Sequence, residues 1–165
     1  MNSIFLIGMM GSGKSAVGKV LAVKLELPFF DLDEAIEAHY GLSIPQIFEK
    51  HGEIAFREME SRLHEWFPLP ENGAVIATGG GFPLTESNWR WMQQSSHIIW
   101  LQAKTKTILK RIKSSKNRPL FHKDTISHLI TKRNFVYQQA DLYIQTDDKT
   151  IEETAKEILR WLSRQ

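Results

Sequence analysis

At 165 residues, 42% hydrophobic and 24% charged, the chain has the size and composition of one ordinary globular domain, 1–165, and not of a disordered tail. Its 21 basic and 19 acidic residues leave a net charge of +2, which argues against a dedicated, strongly basic nucleic-acid binder. With no cysteine there is no disulfide framework, cysteine-held zinc or cysteine nucleophile, and no apolar run reaches the ~18–20 residues of a membrane helix.

The first apolar run, Ile4–Ile7, has no Lys or Arg ahead of it and leads straight into glycine-rich sequence. It therefore reads as a buried strand and not as a cleavable leader, and the cytoplasm is the expected location. The next residues, Gly8-Met9-Met10-Gly11-Ser12-Gly13-Lys14-Ser15, satisfy GxxxxGK[ST] in full and open a predicted helix, Ala16–Leu25. Strand, loop and helix in this order make a phosphate-binding loop. Backbone N–H groups of Gly11, Ser12, Gly13, Lys14, Ser15 and Ala16 point at phosphate oxygens, Lys14 adds a point charge for the β- and γ-phosphates, and the Ser15 hydroxyl suits Mg²⁺. The ligand expected is a purine nucleoside triphosphate. No Asn-Lys dipeptide occurs, so the guanine-reading motif of G-proteins is absent.

The second run, Pro28–Phe30, leads into Asp31-Leu32-Asp33. Two carboxylates where a strand gives way to a helix, beside a phosphate loop, can divide the work: one toward a metal, the other toward a hydroxyl to be phosphorylated. Helix capping by either aspartate is the competing reading. Further on, Arg57 follows Glu53 at i,i+4, the spacing of a helix-surface pair. The third run, Ala74–Ala77, ends not in an aspartate but in Thr78-Gly79-Gly80-Gly81, three residues without side chains that let a ligand approach the backbone. Runs at Ile98–Leu101 and Leu142–Ile144 complete five buried strands. Between Glu86 and Asp124 lie nine basic residues and no acidic one, a pattern that fits a solvated face, a nucleic-acid contact or a segment closing over a polyphosphate. Arg133, taken alone, is a solvated helical arginine. The last helix puts Ile151, Ala155, Ile158, Leu159 and Leu162 on one face behind a Thr150–Glu153 capping box. Strands alternating with helices give an α/β fold with a mainly parallel sheet.

Taken together, GMMGSGKS, DLD, GExxFRxxE from Gly52 to Glu60, VIATGGG ending at Gly81, Arg118-Pro119-Leu120 and RxxxYxxxAD from Arg133 to Asp141 resemble the shikimate kinase family from Ile4 to about Leu162. The resemblance implies a three-layer P-loop fold with a five-stranded parallel sheet and a mobile lid at about 110–124. It implies transfer of the ATP γ-phosphate to the 3-hydroxyl of shikimate on the route to chorismate. Lys14, Asp33 and Arg118 would be catalytic, and Asp33, Arg57, Gly79, Gly80, Gly81 and Arg133 would hold shikimate. Glu60 would orient Arg57. Arg111 and Lys149 would stand near adenine, Arg118 would reach the phosphates from the lid, and Ser15 and Asp31 would hold Mg²⁺. The expected partners are ATP and a small-molecule acid, with no nucleic acid or membrane, and the expected state is a monomer. Only 15 positions separate Arg118 from Arg133, which implies a short lid. Two alternatives remain at this point: a kinase of another hydroxy-acid such as gluconate, and a nucleotide-binding module without turnover.

Overall fold

The sequence places apolar residues on both faces of its first strand, and the computed structural model, which describes residues 2–94, 96–113 and 123–165, shows why. Strand β1 (Ser3–Ile7) is buried along its whole length at the centre of a sheet. It pairs in parallel with β3 (Val75–Ala77) on one side and β4 (Ser96–Gln102) on the other. Strands β2 (Phe29–Asp31) and β5 (Leu142–Gln145) form the edges, giving the order β2-β3-β1-β4-β5 with every pairing parallel. All five strands predicted from apolar runs are present, with ends shifted by a residue or two.

A parallel sheet needs cover on both faces. Ile4 and Leu6 face helices α1 (Lys14–Leu25) and α8 (Ile151–Leu162), packing with Val17, Leu21 and Ile158. Phe5 and Ile7 face the opposite core, built with residues of α2 (Leu32–Tyr40), α3 (Ile44–Ser61), α5 (Glu86–Gln93), α6 (Thr105–Lys113) and α7 (Lys123–Tyr137), with the short α4 (Leu63–Trp66) alongside. The result is a three-layer α/β/α architecture.

Local signals account for the ends of several elements. Thr150 and Glu153 exchange the two hydrogen bonds of a capping box at the start of α8, as the sequence predicts. The predicted face of α8 needs one correction: Ala155 and Ile158 are buried, but Ile151, in the first turn, is 45% exposed. The predicted helix after the phosphate loop starts at Lys14 and not at Ala16. Of the lid expected at 110–124, residues 110–113 close α6 and 123–124 open α7. The remainder, including Arg118, lies outside the described residues. Among the described residues, no helix is long and apolar enough to cross a membrane.

Candidate active site

Strand β1 ends where the phosphate loop begins, and the loop leads into α1. Gly13 caps α1 at φ 103°, a backbone conformation that favours glycine, so the turn delivers Lys14 and Ser15 at the helix N-terminus. Lys14 is buried and bends back over its own loop, its Nζ donating to the carbonyls of Gly8 (2.9 Å) and Met9 (3.0 Å). Arg111 reaches the same loop from α6. Its Nη1 donates to the carbonyl of Gly11 at 3.1 Å, and its Nη2 to the carbonyl of Thr146 at 2.9 Å. The guanidinium is thus laid across the loop and the end of β5. Thr146, which the sequence did not single out, is buried; its Oγ1 accepts from Arg111 Nη1 at 3.2 Å and donates its one proton to the Gln102 carbonyl at 2.8 Å, with the Ser12 carbonyl 3.2 Å away, completing that bracket. Lys149 is placed differently: its ammonium pairs with Glu157 of α8.

Asp31 does two things at once. Its Oδ1 accepts from the Asp33 backbone N–H at 3.1 Å and caps α2, and its Oδ2 accepts from the Ser15 hydroxyl at 2.7 Å. Capping therefore falls to Asp31, and Asp33 lies in the first turn of the helix. The Ser15 hydroxyl and the Asp31 carboxylate, adjacent at the foot of the loop, are hard oxygen donors suited to Mg²⁺.

The acceptor side is organised by three glycines. A Cβ added at Gly79 would fall 2.7 Å from Asp33 Oδ1, one at Gly80 2.7 Å from Arg133 Nη1, and one at Gly81 2.7 Å from Arg57 Cζ. Each glycine thus makes room for one of the three side chains assigned to the substrate, and α2, α3 and α7 converge on one turn. Arg57 donates through Nη1 to Glu60 Oε2 at 2.5 Å and through Nη2 to Glu53 at 3.2 Å, so the surface pair exists but is the weaker half of a clamp. Glu60 is only 1% exposed. Burial pushes its carboxyl up to about 7 against the opposing pull of Arg57. Burial works to lower the Arg57 guanidinium, but Glu60 and Glu53 outweigh it and hold the group above its ordinary value.

Arg133 is not the solvated arginine its local sequence suggests. It is 7% exposed, its Nε is buried without a hydrogen-bond partner, and its Nη1 donates to the Met9 sulfur at 3.5 Å. Among the described residues no carboxylate lies within ion-pair distance of it. A buried guanidinium so placed is suited to an anionic ligand. The Tyr137 hydroxyl donates to the Gly80 carbonyl. Asn88 of α5, also missed from sequence, is buried and donates through Nδ2 to the Phe82 carbonyl at 3.0 Å, bracing the turn that follows the glycines. A cavity of about 320 Å³ joins the two halves, lined by Gly13, Lys14 and Ser15 on one side and Asp33, Gly79 and Gly80 on the other. A larger one, about 550 Å³ between β4, β5 and α7, has no carboxylate among its described lining residues and none of the glycines of the turn.

A phosphate loop facing a small acceptor cleft across one cavity, on a sheet of this order, defines a P-loop kinase whose acceptor is a small molecule. Comparison with known proteins narrows the class. The family model described as shikimate kinase matches residues 10–163. Curated shikimate kinases of Sulfurihydrogenibium sp. and Persephonella marina are 39% and 42% identical to the chain, over 99% and 96% of it and 99% and 98% of their own lengths. The solved structure of a shikimate kinase from Acinetobacter baumannii in complex with shikimate superposes with a TM-score of 0.91 at 32% identity, covering 99% of this chain and 94% of that one. The chain belongs to the shikimate kinase family and is an ATP-dependent phosphotransferase, with ATP as co-substrate and Mg²⁺ as its metal.

Proposed function

We propose a division of labour among named residues for the reaction of this family, transfer of the ATP γ-phosphate to the 3-hydroxyl of shikimate on the route to chorismate. Arg57 and Arg133 hold the shikimate carboxylate through forked, charge-assisted hydrogen bonds, and the backbone of Gly79, Gly80 and Gly81 lies against the ring. Asp33 accepts the proton of the attacking hydroxyl. Lys14 and Arg118 counter charge on the phosphates, and Arg111 forms one wall of the adenine site with Lys149 nearby. Ser15 and Asp31 hold Mg²⁺, which when bound neutralises charge across the phosphate oxygens. Glu60 keeps Arg57 in place.

The observation that carries this reading is the convergence of Asp33, Arg133 and Arg57 on consecutive glycines beside the phosphate loop. A carboxylate base and two guanidiniums suit a substrate with one hydroxyl to activate and one carboxylate to grip. The reading treats 1–165 as a single kinase unit with a lid at about 110–124, acting as a cytoplasmic monomer without nucleic-acid partners. Gluconate is the weaker alternative, since the family model that matches is that of shikimate kinase. Coupled ADP release tests the proposal: with ATP and Mg²⁺, turnover is expected to depend on shikimate. Equal release without an acceptor would refute kinase action, and faster turnover of gluconate would refute the acceptor alone.

A further inference from the structure

We propose that Tyr137 is a positioning residue for the shikimate side of the site, its hydroxyl holding the Gly80 carbonyl so that Gly80 and Arg133 meet the substrate in register. The proposal rests on the reading just given. Tyr137 follows Arg133 by four residues on α7, so the two side chains leave the same face of the helix. Both act on one glycine. The Arg133 guanidinium occupies the space a Gly80 Cβ would need, at 2.7 Å, and the Tyr137 hydroxyl donates to the Gly80 carbonyl. On a further side Gly80 meets the phosphate loop, where its Cβ would be 3.4 Å from the Gly8 carbonyl oxygen and 3.6 Å from the Met10 nitrogen. A displacement of Gly80 therefore changes the distance between acceptor and phosphate loop.

The phenol itself is well fixed. Tyr137 is fully buried, and its ring packs against Trp100 with centroids 5.6 Å apart. Burial pushes its hydroxyl up to about 12, with Arg133 pulling the other way, so the group keeps its proton and remains a donor throughout the neutral range. Its hydroxyl meets the Gly80 backbone and the Arg133 side chain and not the reacting atoms, which makes it a positioning group. Phenylalanine in its place keeps the ring packing and removes the hydroxyl, leaving both the Gly80 carbonyl and the Arg133 guanidinium without that partner.

Steady-state kinetics of Tyr137→Phe test this. The expected result is a rise in shikimate KM of about 5–20-fold, the worth of a buried hydrogen bond whose partner is left behind, with ATP KM within about twofold of wild type. An unchanged shikimate KM overturns the proposal. So does an equal rise in both KM values, which would mean general loosening. A Phe variant that does not fold overturns it as well, because the hydroxyl would then support the fold and not the substrate. Failure of the underlying reading shows up separately, as wild-type enzyme that does not turn over shikimate at all.

Discussion

Asp33 is the residue proposed to accept the proton of the attacking hydroxyl. Asp31 supplies the helix cap, so the Asp33 carboxylate is not committed to that task, and it lies against Gly79. A positioned base contributes about 10²–10⁴-fold to rate. Asp33→Asn is expected to lower kcat by at least about 10²-fold while leaving ATP affinity close to wild type; a variant that turns over normally would return Asp33 to a structural role. Glu60 makes a different prediction. Burial lifts its carboxyl from 4.5 to about 7, so the native state binds this proton more tightly than the unfolded chain. The contribution to stability is therefore complete below the ordinary carboxylate range and is lost as pH rises through about 7, by up to about 3 kcal/mol. Glu60→Gln removes that slope. Urea unfolding of both proteins at about pH 5 and about pH 8 measures the difference, and parallel losses in the two would contradict the assignment.

At the scale of elements, the glycine turn after β3 has a separate task at each position. Gly79→Ala would press on the Asp33 carboxylate, and Gly81→Ala on the Arg57 guanidinium. The first is expected to act mainly on kcat and the second mainly on shikimate KM, each by as much as about 10²-fold, the cost of misplacing reacting groups by an ångström. Kinetics of the two alanine variants check this, and identical effects on both parameters would contradict it. Much of this element-level plan was legible in the sequence. The five apolar runs became the five strands, the capping box of α8 formed, and the phosphate loop sits between strand and helix. What stayed hidden was non-local. Arg133 reads as surface because nothing nearby in sequence reveals that Met9 and Gly80 cover it. Thr146 and Asn88 are single polar residues with no local pattern, and only their buried hydrogen bonds to distant carbonyls give them significance. Arg57 shows the reverse: its i,i+4 pair with Glu53 was legible from spacing, and its buried partner, Glu60 at i+3, is the one the family resemblance named.

For the molecule as a whole, parallel strand order brings the two half-sites together. Strands β1, β2 and β3 end at the same edge of the sheet, so the segments after them, carrying Lys14, Asp31 and Asp33, and Gly79 and Gly80, share one cavity. In the proposed division of labour each half has its own anchor, Lys14 for the nucleotide and Arg133 for the acceptor acid. The central claim is that these anchors are separable, and calorimetric titration of shikimate and of a non-hydrolysable ATP analogue into Arg133→Ala and Lys14→Ala tests it most directly. Arg133→Ala is predicted to lose about 10–150-fold in shikimate affinity and to keep its nucleotide affinity, and Lys14→Ala to do the reverse, each by the worth of a hydrogen bond to a charged group. Loss of both ligands in either variant, or full retention of shikimate by Arg133→Ala, would contradict the account.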